Sequence, residues 1–152
     1  MGVCRLCGGT GPLSREHIPP KSSLGASGYT VTVQSGDEYF DGRPGRVYQR
    51  GFHESVLCES CNNLTGAWYG TEFGKWSDWG RTLLETMRAG TGAVVPAFAG
   101  YPLRIAKQVV TTMIAASKGD LLDRRRDLKS FVLNREEVAK PGQIRLTGYL
   151  CP

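Results

Sequence analysis

Histidine is scarce: His17 and His53 are the only two among 152 residues. Any chemistry that runs through an imidazole therefore has at most two addresses. No apolar run approaches the roughly eighteen residues needed to cross a bilayer, which excludes a spanning helix. No apolar segment stands behind the start Met-Gly-Val-Cys-Arg-Leu-Cys-Gly, and Leu6 occupies the place where a myristoylation motif wants Ser or Thr. No membrane partner and a cytoplasmic location are therefore expected. Internal repeats and low-complexity tracts are also missing, and 40% hydrophobic against 22% charged residues excludes a disordered chain. The length leaves room for one compact core and little else.

Arginine and cysteine are the residues in good supply. Arginine outnumbers lysine 13 to 6 within a net charge of +5, a balance that suits a partner made of phosphates. In a reducing compartment the spacing of the five cysteines is read for metal before disulfide. Cys4-Arg-Leu-Cys7-Gly-Gly and Cys58-Glu-Ser-Cys61 are two Cys-x-x-Cys pairs. A tight turn of this spacing aims both thiolates at one ion, and two such turns make a tetrahedral four-sulfur site suited to Zn2+. A closed shell of that kind is scaffold and not catalyst. The rival redox role needs a βαβ setting, and Cys4 lies too near the terminus for one. Cys151 stands outside the pattern and reads as a small apolar residue at a strand end.

Fifty residues separate the two pairs, more than the loop of a simple zinc ribbon, so a segment is inserted between them. Tyr29 to Val33 alternates like a strand and Arg46 to Arg50 reads as its return, which predicts a β-rich insertion at about 28–52. Residues 1–25, rich in Gly, Pro, Ser and Cys, read as knuckles and loops. After Cys61 the period turns helical: Leu64, Trp68, Trp76, Trp79, Leu83 and Met87 predict an imperfect helix from about 62 to 89, with Gly66, Gly70 and Gly74 on another face. Trp68, Tyr69, Trp76 and Trp79 offer faces for base stacking, although helical spacing places Trp76 and Trp79 in the core.

Pro102 with Leu103, Ala106, Val109, Val110, Met113 and Ile114 predicts a second helix, stopped at Gly119. Asp120 caps a short third helix, and Asn134 with Glu137 resembles another capped start. Ile144 to Leu150 reads as a last strand that breaks off at Cys151-Pro152, so a further segment is expected beyond it. The expected division is a zinc-bound unit over residues 1–90 and a helical extension over 91–152 that is open to a protein partner.

The residues beside the two knuckles carry the candidate chemistry. Ser14-Arg15-Glu16-His17-Ile18-Pro19-Pro20-Lys21-Ser22 follows the first: His17 is a base in the physiological range and Glu16 a hard oxygen ligand beside it. The second opens at once into Asn62-Asn63, where an amide oxygen at a helix start can complete a metal site. His53 lies just upstream. Each feature also has an ordinary structural reading, a hydrogen-bonded histidine or an N-cap. Their order around two knuckles is what lifts them. Arg15, Lys21 and Arg50 are candidate phosphate contacts. Asp123-Arg124-Arg125-Arg126-Asp127 is a denser charge cluster whose flanking acids can neutralise it.

Cys-x-x-Cys, then Glu-His-Ile-Pro-Pro, then Leu-Cys-x-x-Cys-Asn resembles the zinc-stabilised HNH endonucleases, over residues 4–66. The resemblance implies an α+β fold with a ββα-metal core, stapled by zinc on Cys4, Cys7, Cys58 and Cys61. It also implies phosphodiester hydrolysis of nucleic acid, with DNA the expected partner. His17 would be the general base, Glu16 and Asn62 the ligands of a catalytic Mg2+ or Mn2+, and His53 the middle residue that orients the base. The chain thus reads His-His-Asn where the family reads His-Asn-His. The alternative is a non-catalytic zinc module that binds nucleic acid or protein through the same scaffold.

Overall fold

The computed structural model describes residues 1–23, 30–33, 42, 44–49, 52–89, 97–117, 119–139 and 144–145, in a mixed α+β fold. Arg50, Cys151 and most of the expected last strand lie outside them.

The first knuckle is a small hairpin, β1 (Gly2–Val3) against β2 (Thr10–Gly11). Within it the Cys4 N–H donates to the Gly9 carbonyl at 2.9 Å and the Gly8 N–H to the Cys4 carbonyl at 2.8 Å. Gly8 takes φ +80°, a conformation that side chains disfavour. Strand β3 (Leu13–Ile18) follows, where loop was expected, and pairs antiparallel with β6 (Phe52–Cys58). Between them, β4 (Thr30–Val33) pairs with β5 (Arg46–Gln49), as the alternation in the insertion predicts.

Strand β6 runs straight into α1 (Glu59–Thr65), with Cys58 as the N-cap residue, so the second knuckle is a strand-to-helix corner. A π-helical segment, Gly66–Gly70, and α2 (Thr71–Arg88) continue the same rod. The expected imperfect helix is thus present and starts three residues earlier. Two of its glycines bound the π segment. The third, Gly74, is there for a close approach: a Cβ would stand 2.9 Å from the Ser22 carbonyl oxygen of the 3-10 turn Lys21–Ser23.

Helix α3 (Pro102–Ala116) begins on Pro102 as expected. Gly119, at φ +108°, precedes the short α4 (Asp120–Arg124), and α5 (Asp127–Leu133) is separate from it. The expected helix start at Asn134 is instead a turn in which the Asn134 side chain accepts the Glu136 N–H at 3.2 Å. Trp76 and Trp79 stand half-buried outside the core cluster, against Phe73 and Phe98, whereas Tyr69 is fully buried and has no face for a base.

One core serves both halves of the chain: Leu6, Val56, Leu57 and Tyr69 pack in a single cluster with Val110, Ile114, Leu128, Phe131 and Val132. Polar ties reinforce it. Arg5, inside the first knuckle, donates from Nη1 to the Ala115 and Ser117 carbonyls at 2.7 and 2.9 Å, holding the end of α3. Lys129 Nζ reaches back to the Cys7 carbonyl at 3.1 Å. Tyr69 donates its hydroxyl to the Val132 carbonyl at 2.7 Å. Lys107, fully buried, donates Nζ to the carbonyls of Phe131 and Asn134 at the end of α5, where the helix dipole favours a cation. Among the described residues, no helix is long and apolar enough to cross a membrane.

Candidate functional site

The β3–β6 hairpin, the knuckle corner and α1 bring the sequence candidates into two adjacent constellations. The first is the thiol cluster: the sulfurs of Cys4, Cys7, Cys58 and Cys61 all lie within 4.8 Å of one another. Cys7 Sγ and Cys58 Sγ are 3.8 Å apart. Two sulfurs on a tetrahedral ion at 2.3 Å bonds stand about 3.8 Å apart, so the cluster is compatible with a structural zinc ion. The Gly9 N–H donates to Cys7 Sγ at 3.4 Å, as a thiolate at a glycine turn requires. Burial, then the neighbouring sulfurs, push the Cys61 thiol far above its ordinary value. Four thiolates this close repel one another, and a dication relieves the repulsion.

The second constellation is a cleft of about 270 Å³ lined by Arg15, Glu16, His17, Lys21, Ser22 and Asn62, with Gly66, Gly70 and Gln108 behind them. Its residues are fixed by a bulge. Ser14 pairs with Leu57 and Arg15 with Ser55, so Val56 has no partner across the ladder. The Val56 carbonyl takes the Arg5 N–H at 2.9 Å instead. From α1, Asn62 Nδ2 donates to Ser14 Oγ of β3 at 3.0 Å and to the Arg15 carbonyl at 3.1 Å, while Ser14 Oγ donates to the Leu57 carbonyl at 3.1 Å. With its amide nitrogen engaged twice, Asn62 has its carbonyl oxygen left to offer a ligand.

Glu16 is buried, 6% exposed, and burial pushes its carboxyl up to about 7. His17 is half-buried, and its pKa is lowered by burial first, then by His53, Lys21 and Arg15, which keeps the imidazole in its basic form. His53 lies directly opposite His17 in the ladder, the rings edge to face with centroids 4.1 Å apart. His53 Nδ1 is buried and has no hydrogen-bond partner. Arg15 and Lys21 are exposed at the mouth. The denser arginine cluster, by contrast, is partly internally paired: Arg125 makes a two-pronged contact with Asp127 at 2.9 and 2.8 Å.

Comparison with models of protein families, with curated proteins and with solved structures finds no match to this chain.

Sequence reasoning missed Gln108, which enters the cleft from α3. It is 2% exposed and its Oε1 has no hydrogen-bond partner. The signal that could have found it is a polar interruption, Lys107-Gln108, in the middle of an apolar stripe. Ser22 and Gly70 were also missed as cleft residues; Ser22 Oγ donates to the Gly70 carbonyl at 2.8 Å, closing the 3-10 turn onto the π segment.

Proposed function

We propose that this chain is a metal-dependent, HNH-like endonuclease that hydrolyses phosphodiester bonds in DNA, on a ββα core stapled by zinc. The observation that carries the proposal is the convergence of Glu16, His17 and Asn62 on one cleft beside the thiol cluster, with Arg15 and Lys21 at its rim. A carboxylate and an amide carbonyl are hard oxygen donors, a set that fits Mg2+ or Mn2+ better than a closed zinc shell. A bound cation of this type supplies positive charge for the phosphate oxygens and the leaving oxygen.

The chain's own residues do the rest. Neutral His17 accepts the proton of the attacking water, and its lowered pKa keeps that form populated at neutral pH. Arg15 and Lys21 hold the flanking phosphates and bring the DNA backbone to the cleft. Asn62, locked by Ser14 and the Arg15 carbonyl, keeps its oxygen in place without a rotamer search. His53, opposite His17, restricts the base to one ring orientation.

A second reading, a non-catalytic nucleic-acid or protein-binding zinc module, is favoured by His53 alone. An imidazole in edge-to-face contact with the His17 ring occupies the place where the family has an amide. Plasmid nicking by the zinc-loaded chain with Mg2+ or Mn2+ separates the two. The expected result is cleavage by the wild type and a loss of at least about a hundredfold in His17→Ala, the usual contribution of a general base. Equal cleavage by both proteins, or none with either metal, overturns the catalytic reading.

A further inference from the structure

The orphaned oxygen at the back of the cleft belongs to neither the hairpin nor the knuckles. Gln108 sits on α3 between Lys107, anchored to two carbonyls of the α5 end, and Thr111, whose hydroxyl donates to the Lys107 carbonyl at 2.8 Å. The end of the same helix is held by Arg5. Gln108 is thus carried on a fixed helix, and its Oε1 is enclosed without a donor.

None of the cleft residues donates to this oxygen. Ser22 has already given its hydroxyl hydrogen to the Gly70 carbonyl. Gly70 is what keeps the space open: a Cβ there would lie 3.8 Å from both Gln108 Oε1 and Ser22 Oγ. The π segment sets both Gly66 and Gly70 on the cleft lining. Glu16 and Asn62 line the same cleft, whose donor-bearing residues Arg15, Lys21 and Thr71 are exposed. A buried acceptor left without a partner calls for a cation or a cation's water, and an apolar guest would leave it bare.

We propose that Gln108 is a further oxygen donor to a divalent cation in this cleft, directly or through one of the cation's waters. The helical extension would then be part of the metal site. The inference rests on the cation assigned above to Glu16 and Asn62.

The test is Mn2+ binding to the zinc-loaded full chain, read from the free-Mn2+ electron paramagnetic resonance signal. The proteins are wild type, Gln108→Leu and Gln108→Glu, with Glu16→Gln as control. Gln108→Leu is expected to weaken binding about tenfold, in the range for outer-shell partners of metal ligands. Gln108→Glu restores an oxygen and is expected to bind at least as tightly as wild type. A core role for the side chain would not produce that rescue. Equal Mn2+ affinity in all three Gln108 forms overturns the inference and leaves the nuclease reading standing, and so does failure of Gln108→Glu to rescue. Gln108-dependent Mn2+ binding without any plasmid nicking does the reverse. No Mn2+ bound by the wild type overturns this inference and the cation assignment together.

Discussion

A glutamate carboxyl in the middle of a hairpin, 6% exposed, must be neutral, paired or bound to a cation. In Glu16 burial raises the carboxyl from 4.5 to about 7. A carboxyl raised in the folded state contributes stability that is fully present below the unfolded value and is lost as pH rises through the folded one. Without a divalent cation the zinc-loaded protein is therefore expected to lose stability at this residue between pH 4.5 and about 7, by at most about 3 kcal/mol. Glu16→Gln should flatten the melting temperature against pH, and Mn2+ should flatten it in the wild type. Parallel pH curves for the two proteins would show that the carboxyl ionises without cost. That Glu16 and His17 line one cleft was legible because a Glu-His pair next to a knuckle is local in sequence. The locking of Asn62 by a bulge was not, because a bulge depends on how two strands 34 residues apart fall into register.

At the scale of elements, the glycines of the long rod divide by what surrounds them. Gly74 faces the Ser22 carbonyl at a separation that admits no Cβ, whereas Gly66 has open space around its own. Gly74→Ala is expected to destabilise by about 1–2 kcal/mol, since an overpacking cost of roughly 1–3 outweighs the helix propensity gained. Gly66→Ala should be neutral or stabilise by up to about 1 kcal/mol. Urea unfolding of the two variants checks the contrast, and equal effects would remove the close-approach argument. Helix α3 and the long rod were readable from apolar period and from Pro102. Strand β3 was not. Leu-Ser-Arg-Glu-His-Ile carries three charged or titratable side chains in six, so its strand character comes from β6 and not from its own propensity. The strand that carries Glu16 and His17 was thus the element least visible in advance. Trp76 and Trp79 erred the other way: helical spacing put them on a buried face, but the core lies on the side of Tyr69.

For the whole molecule, the knuckles are tied to the extension by Arg5 and Lys129 as well as by packing. Removing zinc from the thiol cluster should therefore be felt far along the chain. Chelation is expected to abolish cooperative melting and to speed amide exchange at the end of α3 and in α5 as much as around Cys4 and Cys61. Exchange confined to the knuckle segments would show that the extension stands by itself. Sequence alone divides the chain at residue 90, because the Gly/Ala/Pro stretch from Gly90 to Gly100 reads as a connector. A shared core between residues 50 or more apart leaves no mark in a periodicity.

Tyr69 and Lys107 both end on carbonyls contributed by residues 131–134. A ribosome makes those acceptors after both donors. Until they emerge, a phenol and an ammonium destined for burial have nothing to donate to, although every cysteine of the cluster and both histidines have already been synthesised. The cleft that holds Glu16 and His17 is consequently finished from behind, by Gln108 and the carbonyls of Phe131 and Asn134 that anchor its helix, all of them synthesised after the candidate chemistry itself.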